Sequence, residues 1–343
     1  MAVRAKLRGA ISGFGEVAAR AHLPGWRTRE NVAIGAIHDP VSERRHDAIR
    51  LIKNVRVYDD LELMLDGEAP DFVDVASPPG LHHGAARAAL AAGAHVLVEK
   101  PLALTLSEFD ELAALAAEKR RVLMCVHNWK YAPAYMAARK AIEAGRLGAV
   151  RFVSIDRLRT APAGAGGSGG KWRSSAASGG GILIDHGWHV FYLMNWLLGG
   201  DAPVSISARL ESPASADVDD VADLRIRFES GALSRVHLSW RAPVRRTSAL
   251  IYGERASLEI EGDRVLLTDR AGKVDDLSVA DMADDSYHSA WFGGVAEEFE
   301  LAVTEGTDSP IAKRNVAEAR VALMLMEAAR KSSINGGVEI KLS

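Results

Sequence analysis

Two histidines and an aspartate stand inside one of the most apolar runs of the chain, GGGILIDHGWHVFYLMNWLLGG, residues 179–200. Asp185 and His189 are four apart, which on an α-helix sets them on one face. Tyr192, Leu193, Trp196 and Leu197 continue that side as packing. A carboxylate and an imidazole at the start of a buried helix, entered through three glycines, read as a site facing a cleft. Histidine titrates near neutrality, so it suits taking a proton from a hydroxyl or returning one. The structural alternative is a capped helix start with a satisfied core histidine. Metal is a third reading, since Asp185, His186 and His189 offer oxygen and nitrogen donors. However, His186 and His189 are three apart, not the four of a zinc-binding helix pair, and no glutamate base follows. No metal is expected.

A second group of residues suits a dinucleotide. Gly13-Phe14-Gly15-Glu16-Val17-Ala18 follows a strand-like segment and opens a helix-like one. Glycines there permit a tight turn and let a pyrophosphate approach backbone N–H groups at the helix start. Ala18 stands where a third glycine is usual. Asp39 ends the next strand at the distance of a ribose-binding acid, where its charge would repel a 2′-phosphate and favour NAD over NADP. It could equally cap the turn before Pro40, and Arg44 and Arg45 nearby could accept NADP. SPPGLHH (77–83) and Glu99-Lys100-Pro101 fall at the carboxyl ends of further strands, where such sheets bind ligands. Ser77, Pro78 and His82 are thereby candidates for the nicotinamide side, with Glu99, Lys100 and Pro101 at the next strand edge.

The elements that must hold these groups alternate over the first third. Strands are expected at Leu7–Ser12, Val32–His38, Val55–Tyr58, Phe72–Ala76, His95–Val98 and Val122–Val126. Between them lie helical segments: 16–29 (disturbed by Pro24), 42–52 capped by Ser42, 61–65, 81–92, and 108–119 capped by Ser107. Apolar strands separated by amphipathic helices imply a parallel, doubly wound sheet. Past residue 128 the pattern changes to a helix at 134–144, a strand at 150–156 and a Gly-rich loop at 161–172. From Val204 onward period-two strands joined by turns read as an antiparallel meander, and helices near 294–304 and 316–331 close the chain. The expected organisation is a nucleotide-binding domain at 1–126 and an α+β domain at 127–343.

Composition excludes other classes. The 343 residues suffice for two cores, and a net charge of −3 disfavours nucleic acid or an anionic membrane as partner. One cysteine, Cys125, rules out a disulfide framework and fits a reducing, cytoplasmic setting. No leader or membrane span is read in the sequence.

The Gly13–Ala18 turn, SPPGLHH, EKPLALTLSE, GGGILIDHGWH and SSINGGVEIKL, in this order and spacing, resemble the glucose–fructose oxidoreductase/inositol dehydrogenase (Gfo/Idh/MocA) family over nearly the whole chain. The resemblance implies a Rossmann domain followed by an α+β domain whose large, mostly antiparallel open sheet mediates homodimer or homotetramer formation. It implies a catalytic triad of Lys100, Asp185 and His189, with His189 as acid/base and Lys100 bridging cofactor and substrate. Asn128 matches a position near the nicotinamide, and Trp172 and Arg173 a segment that closes over the site. Lys130 stands where the family often has arginine. The implied activity is hydride transfer between NAD (NADP possible) and a secondary alcohol or ketone of a sugar, cyclitol or related polyol. Two alternatives stay open: a glycoside-cleaving enzyme that retains its cofactor, and a non-catalytic nucleotide- or sugar-binding sensor.

Overall fold

Short strands buried on both faces need cover from both sides, and the first unit of the protein supplies it. The computed structural model describes residues 6–164, 172–213, 217–280 and 288–342. Lys171 and most of the Gly-rich loop lie outside the described residues. Strands β1 (Leu7–Ser12), β2 (Val32–His38), β3 (Arg56–Tyr58), β4 (Phe72–Val75), β5 (His95–Val98) and β6 (Leu123–Cys125) form one sheet. All pair in parallel, in the order β3-β2-β1-β4-β5-β6. That is the doubly wound arrangement, whose strand order reverses beside β1 and leaves a crevice at the carboxyl ends.

Local chemistry sets the helix boundaries. Thr105, not Ser107, caps the helix Leu106–Lys119: its Oγ1 accepts from Glu108 N–H, and Glu108 Oε2 accepts from Leu104 N–H. This reciprocal pair outcompetes a serine already inside the first turn. Similarly, Ser42 begins its helix and Val41 is the cap position. The helix expected over 16–29 contains a π-helical turn, Ala18–His22, ahead of the α-helical segment Leu23–Arg27. Pro24 therefore sits at the start of an α-helical segment, where a missing N–H costs little.

Contacts divide the chain into two units, Met1–Asn128 with Ala283–Arg320, and Trp129–Met282 with Val321–Ser343. The sequence pattern places a single boundary at 126/127; the return of 283–320 to the first unit is the difference. Its cause is aromatic. On the helix Ser289–Glu305, Phe292 and Phe299 are fully buried and pack on Trp26 at 5.7 and 5.9 Å, and Phe299 meets Phe72 at 5.4 Å.

The second unit is a nine-stranded sheet. Its members are β7 (Val150–Leu158), β8 (Pro203–Glu211), β9 (Val221–Phe228), β10 (Leu233–Ser239), β11 (Arg246–Gly253), β12 (Ala256–Glu261), β13 (Arg264–Asp269), β14 (Val274–Asp276) and β15 (Ile340–Lys341). The order is β14-β13-β12-β11-β7-β10-β9-β8-β15. The sheet is mostly antiparallel, as expected; β7, which precedes the run read as a meander from Val204 onward, pairs with β10 in parallel, and the remaining pairs are antiparallel. Because β7 enters long before its neighbours, it is inserted between β10 and β11. β7 also runs two residues past the expected end at Asp156. Val153, Ile155, Leu224, Ile226, Val236 and Leu238 make one face apolar and buried, while Arg225, Arg227 and Arg235 stand exposed on the other.

Beneath the crevice of the first unit is an ion cluster built around a fully buried histidine. The ring of His22 contacts Asp74 through Nδ1 at 2.9 Å and Glu99 through Nε2 at 3.0 Å, and it stacks on Phe292 at 3.9 Å. Trp26 Nε1 donates to Asp74 at 2.7 Å. Burial alone would lower the His22 pKa, but the two carboxylates outweigh it and raise it to about 9. The resulting stabilisation is complete below the ordinary value of 6.5 and is lost as pH climbs through about 9. Urea midpoints should therefore fall between pH 6.5 and 9, by about 3 kcal/mol in unfolding free energy, and His22→Gln should flatten that slope. An unchanged slope in the variant would contradict the assignment.

Candidate active site

In the first unit, the nucleotide-binding candidates begin where β1 ends. Gly13 has φ +90°, and a Cβ there would lie 2.6 Å from Ser77 N and 2.7 Å from Ser77 Cα. Only glycine passes between these strand ends. Gly13 N–H donates to His38 O at 2.7 Å, and Phe14 N–H donates to Asp39 Oδ2 at 2.7 Å. Asp39 Oδ1 accepts from Val41 N–H at 2.9 Å. Asp39 thus anchors the turn and the next helix together. Each carboxylate oxygen accepts more than one bond, so this capping leaves capacity for a ribose hydroxyl. Gly15 faces open space: a Cβ there meets nothing within 4 Å. Glu16 pairs with Arg20 at 2.7 Å and Arg44 at 3.5 Å, while Arg45 donates to Asp39 O at 2.7 Å; Val17 is exposed.

Two buried polar atoms fit a bound dinucleotide. Ser77 Oγ, past the end of β4, and Asn128 Oδ1, past the end of β6, have no hydrogen-bond partner among the described residues. Buried polar atoms are seldom left so, and the nicotinamide and phosphate groups of a dinucleotide carry the donors and acceptors to satisfy them. Pro78 is exposed in the intervening loop. His82, by contrast, is fully buried, with Nδ1 2.6 Å from Pro101 O and Nε2 2.7 Å from Ser77 O. Burial lowers its pKa against the pull of those carbonyls. It ties the Ser77 loop to the Pro101 loop rather than facing a ligand. Glu99 also turns inward: beyond His22 it accepts Lys100 N–H at 2.9 Å, and the Lys100–Pro101 bond is cis. Burial would raise the Glu99 pKa, but His22 and Lys100 overcome it and hold the carboxyl below the ordinary range.

The second unit holds the candidate acid–base residues. Asp185 lies on a π-helical turn, Leu183–Gly187, and His189 on the α-helix Trp188–Leu197 that follows. The wider π turn departs from the clean four-residue register expected from sequence. The glycines have a specific task in this turn. Gly181 has φ +105°, and a Cβ would strike Asp219 Oδ1 at 2.5 Å, the side chain whose Oδ2 accepts Leu183 N–H at 2.7 Å. Asp219 thereby caps the turn that presents Asp185. Asp185 Oδ2 accepts from Arg173 Nε at 2.8 Å and lies 3.8 Å from His186 Nε2. The guanidinium of Arg173 rests 4.4 Å over the Trp172 ring, so these two loop residues belong with Asp185 in this unit.

His189 is held by neighbours that sequence reasoning does not single out. It stacks on Trp129 at 4.4 Å and 6°, and its Nδ1 lies 2.9 Å from Tyr192 Oη, which accepts Trp129 N–H at 2.9 Å. From its spacing alone Tyr192 reads only as packing. Arg157 extends the same stack, 4.1 Å from the Trp129 ring, and its Nε donates to His186 Nδ1 at 3.2 Å. Its period-two continuation from Val153 and Ile155 is the available signal, hidden by ending β7 two residues early.

Two family models match the chain. Residues 7–127 match the model of an oxidoreductase family with an NAD-binding Rossmann fold, and residues 135–259 match the GFO/IDH/MocA C-terminal domain. The chain belongs to the Gfo/Idh/MocA family. This family member is 28% identical over 301 residues to D-glucoside 3-dehydrogenase of Escherichia coli (strain K12), covering 82% of this chain and 84% of that protein. It is 29% identical over 264 residues to D-apiose dehydrogenase of Paraburkholderia graminis, covering 75% and 68%. In fold it is similar to an inositol dehydrogenase homolog from Azotobacter vinelandii crystallised with NAD+, with TM-score 0.86, 23% identity, and coverage of 99% and 98%. This Gfo/Idh/MocA protein is accordingly an oxidoreductase whose cofactor is a nicotinamide dinucleotide. Among the described residues no helix is long and apolar enough to cross a membrane.

Gly13→Ala should weaken NADH binding at least tenfold and destabilise the first unit by about 1–3 kcal/mol, from strain at positive φ and the Ser77 collision. Fluorescence titration and thermal unfolding read both effects; wild-type binding by the variant would contradict the turn's role.

Proposed function

We propose that this protein oxidises a secondary hydroxyl of a sugar, cyclitol or related polyol, or reduces the matching ketone, with NAD as preferred cofactor. The reading rests chiefly on His189: a 7% exposed imidazole, stacked on Trp129, whose Nδ1 is already engaged by Tyr192. Proton exchange with a substrate hydroxyl then falls to Nε2. When Nε2 takes a proton, Nδ1–H donates to the Tyr192 oxygen, so the same contact holds the ring in both charge states. Asp185, oriented by Arg173, would position the substrate hydroxyl, and Lys100 would supply a cation between cofactor and substrate. Bound NAD provides the hydride acceptor. The names of the relatives, a glucoside and an apiose dehydrogenase, support a carbohydrate or polyol as substrate.

Asp39 supports NAD over NADP, because its carboxylate would meet a 2′-phosphate with like charge. Arg44 and Arg45 are already engaged with Glu16 and the Asp39 carbonyl. The open face of the nine-stranded sheet, with Leu233 and Tyr252 exposed at 40% and 42%, is the surface through which copies would associate as a dimer or tetramer. The buried Cys125 suits a cytoplasmic setting.

Tryptophan-sensitised titration should show saturable NADH binding, at least tenfold tighter than NADPH. Binding of neither nucleotide would overturn the reading. His189→Ala should cut kcat by about 10²–10⁴-fold while NADH affinity stays within a factor of about three. Tyr192→Phe should lower kcat with little change in KM; a variant as active as the parent would show that Tyr192 does not hold the imidazole for proton transfer.

A further inference from the structure

Beside His189 the second unit gathers hydrogen-bond donors that its own acceptors do not match. Arg157 and Arg159 alternate on β7 and its continuation, and both donate to one hydroxyl, Thr247 Oγ1, at 3.2 and 3.1 Å. Arg159 is 8% exposed and otherwise donates only to the carbonyls of Leu158 and Arg246. Arg157 donates to His186 Nδ1 and lies over the Trp129 face. Neither guanidinium has a carboxylate within ion-pair distance among the described residues. Asp185, the carboxylate whose charge acts on both, is already paired with Arg173. Tyr135 adds a phenol to the same cluster: its hydroxyl is buried without a hydrogen-bond partner, and it interacts electrostatically with both arginines.

Burial, with repulsion from Arg159, lowers the pKa of Arg157 to about 9, and burial, with repulsion from Arg245, lowers that of Arg159 to about 10, so both stay cationic at neutral pH at a cost in desolvation. A neutral sugar would satisfy hydrogen bonds in this cluster and leave the charge uncompensated. An anion satisfies both, and the planar guanidinium fork matches the oxygens of a carboxylate or phosphate.

We infer that the substrate carries an acidic group, a carboxylate or a phosphate ester, which Arg157, Arg159 and the Tyr135 hydroxyl bind while His189 serves the reacting hydroxyl. The inference rests on the polyol-oxidoreductase reading and narrows its substrate class to sugar acids or sugar phosphates.

The test is calorimetric titration of the full-length protein, saturated with NADH, using D-glucose, D-glucuronate, D-glucose 6-phosphate and inorganic phosphate. At least one acidic sugar should bind tenfold or more tightly than glucose; whether that is the glucuronate or the phosphate ester distinguishes the two acid types. Tyr135→Phe, which removes a hydroxyl that has no partner and so spares the fold, should weaken acid binding about tenfold. Arg157→Gln with Arg159→Gln should erase the preference, while Arg225→Gln on the outer sheet face should leave it intact. Glucose binding as tightly as both acids, no saturable binding of any anion, or a preference that survives the arginine changes would overturn the inference. NADH affinity on the same samples separates the outcomes: its absence counts against the oxidoreductase reading, whereas intact NADH binding without anion preference counts against the anion site alone.

Discussion

The fully buried imidazole of His22 is the joint on which the first unit turns. It bridges a carboxylate on β4 to the carboxylate at the end of β5, and it sits on the helix that follows the glycine turn. Three consecutive pieces of the crevice are thereby fixed to one another by a single ring. Glu99, held from below by His22, grips the backbone N–H of Lys100 from the side. The direction in which Lys100 leaves the sheet is therefore set by a residue buried under it. A buried charge with two partners is costly to break, since losing either leaves the others unpaired in a dry interior. Rigidity at the strand ends follows from that cost.

The second unit solves a related problem with aromatic surfaces. Trp129 offers its ring to an imidazole and to a guanidinium, and its backbone N–H to the phenol that holds the imidazole. One residue thus holds both the imidazole of His189 and the neighbouring cation. Stacking keeps the imidazole parallel to the indole and the guanidinium over its ring, which limits their freedom without consuming their polar atoms. Tyr192 completes the arrangement as a neutral partner, leaving the imidazole free of a fixed negative charge on that nitrogen.

Much of this is legible in the sequence. Period-two and helical patterns locate every strand of the parallel sheet, because each is short, apolar and bounded by turn residues. The Gly13 turn, Asp39, Lys100, Asp185 and His189 stand out because their types are unusual in such surroundings. What stays hidden has physical reasons. Thr105 and Ser107 are equally good caps by composition, and only the reach of Glu108 back to Leu104 decides between them. The parallel β7–β10 pair joins strands some eighty residues apart, a distance over which local periodicity says nothing. Tyr192 and Trp129 read as core because their apolar bodies are core; their polar handles acquire meaning only once the neighbour is known. His82 and Glu99 sit at the expected strand ends, yet turn inward to brace loops.

The aromatic lid from Phe292 and Phe299 has a consequence for how the molecule is made. The six-stranded sheet is encoded almost entirely before residue 126, yet Trp26 and Phe72 are covered by side chains more than two hundred residues later. On a ribosome that releases the chain from its N-terminus, the nucleotide-binding sheet emerges early with an apolar flank exposed, and waits for the second sheet to be synthesised before its cover arrives. Closure of the first unit is therefore a late event in the life of a nascent chain, and that flank is where a chaperone would find its grip.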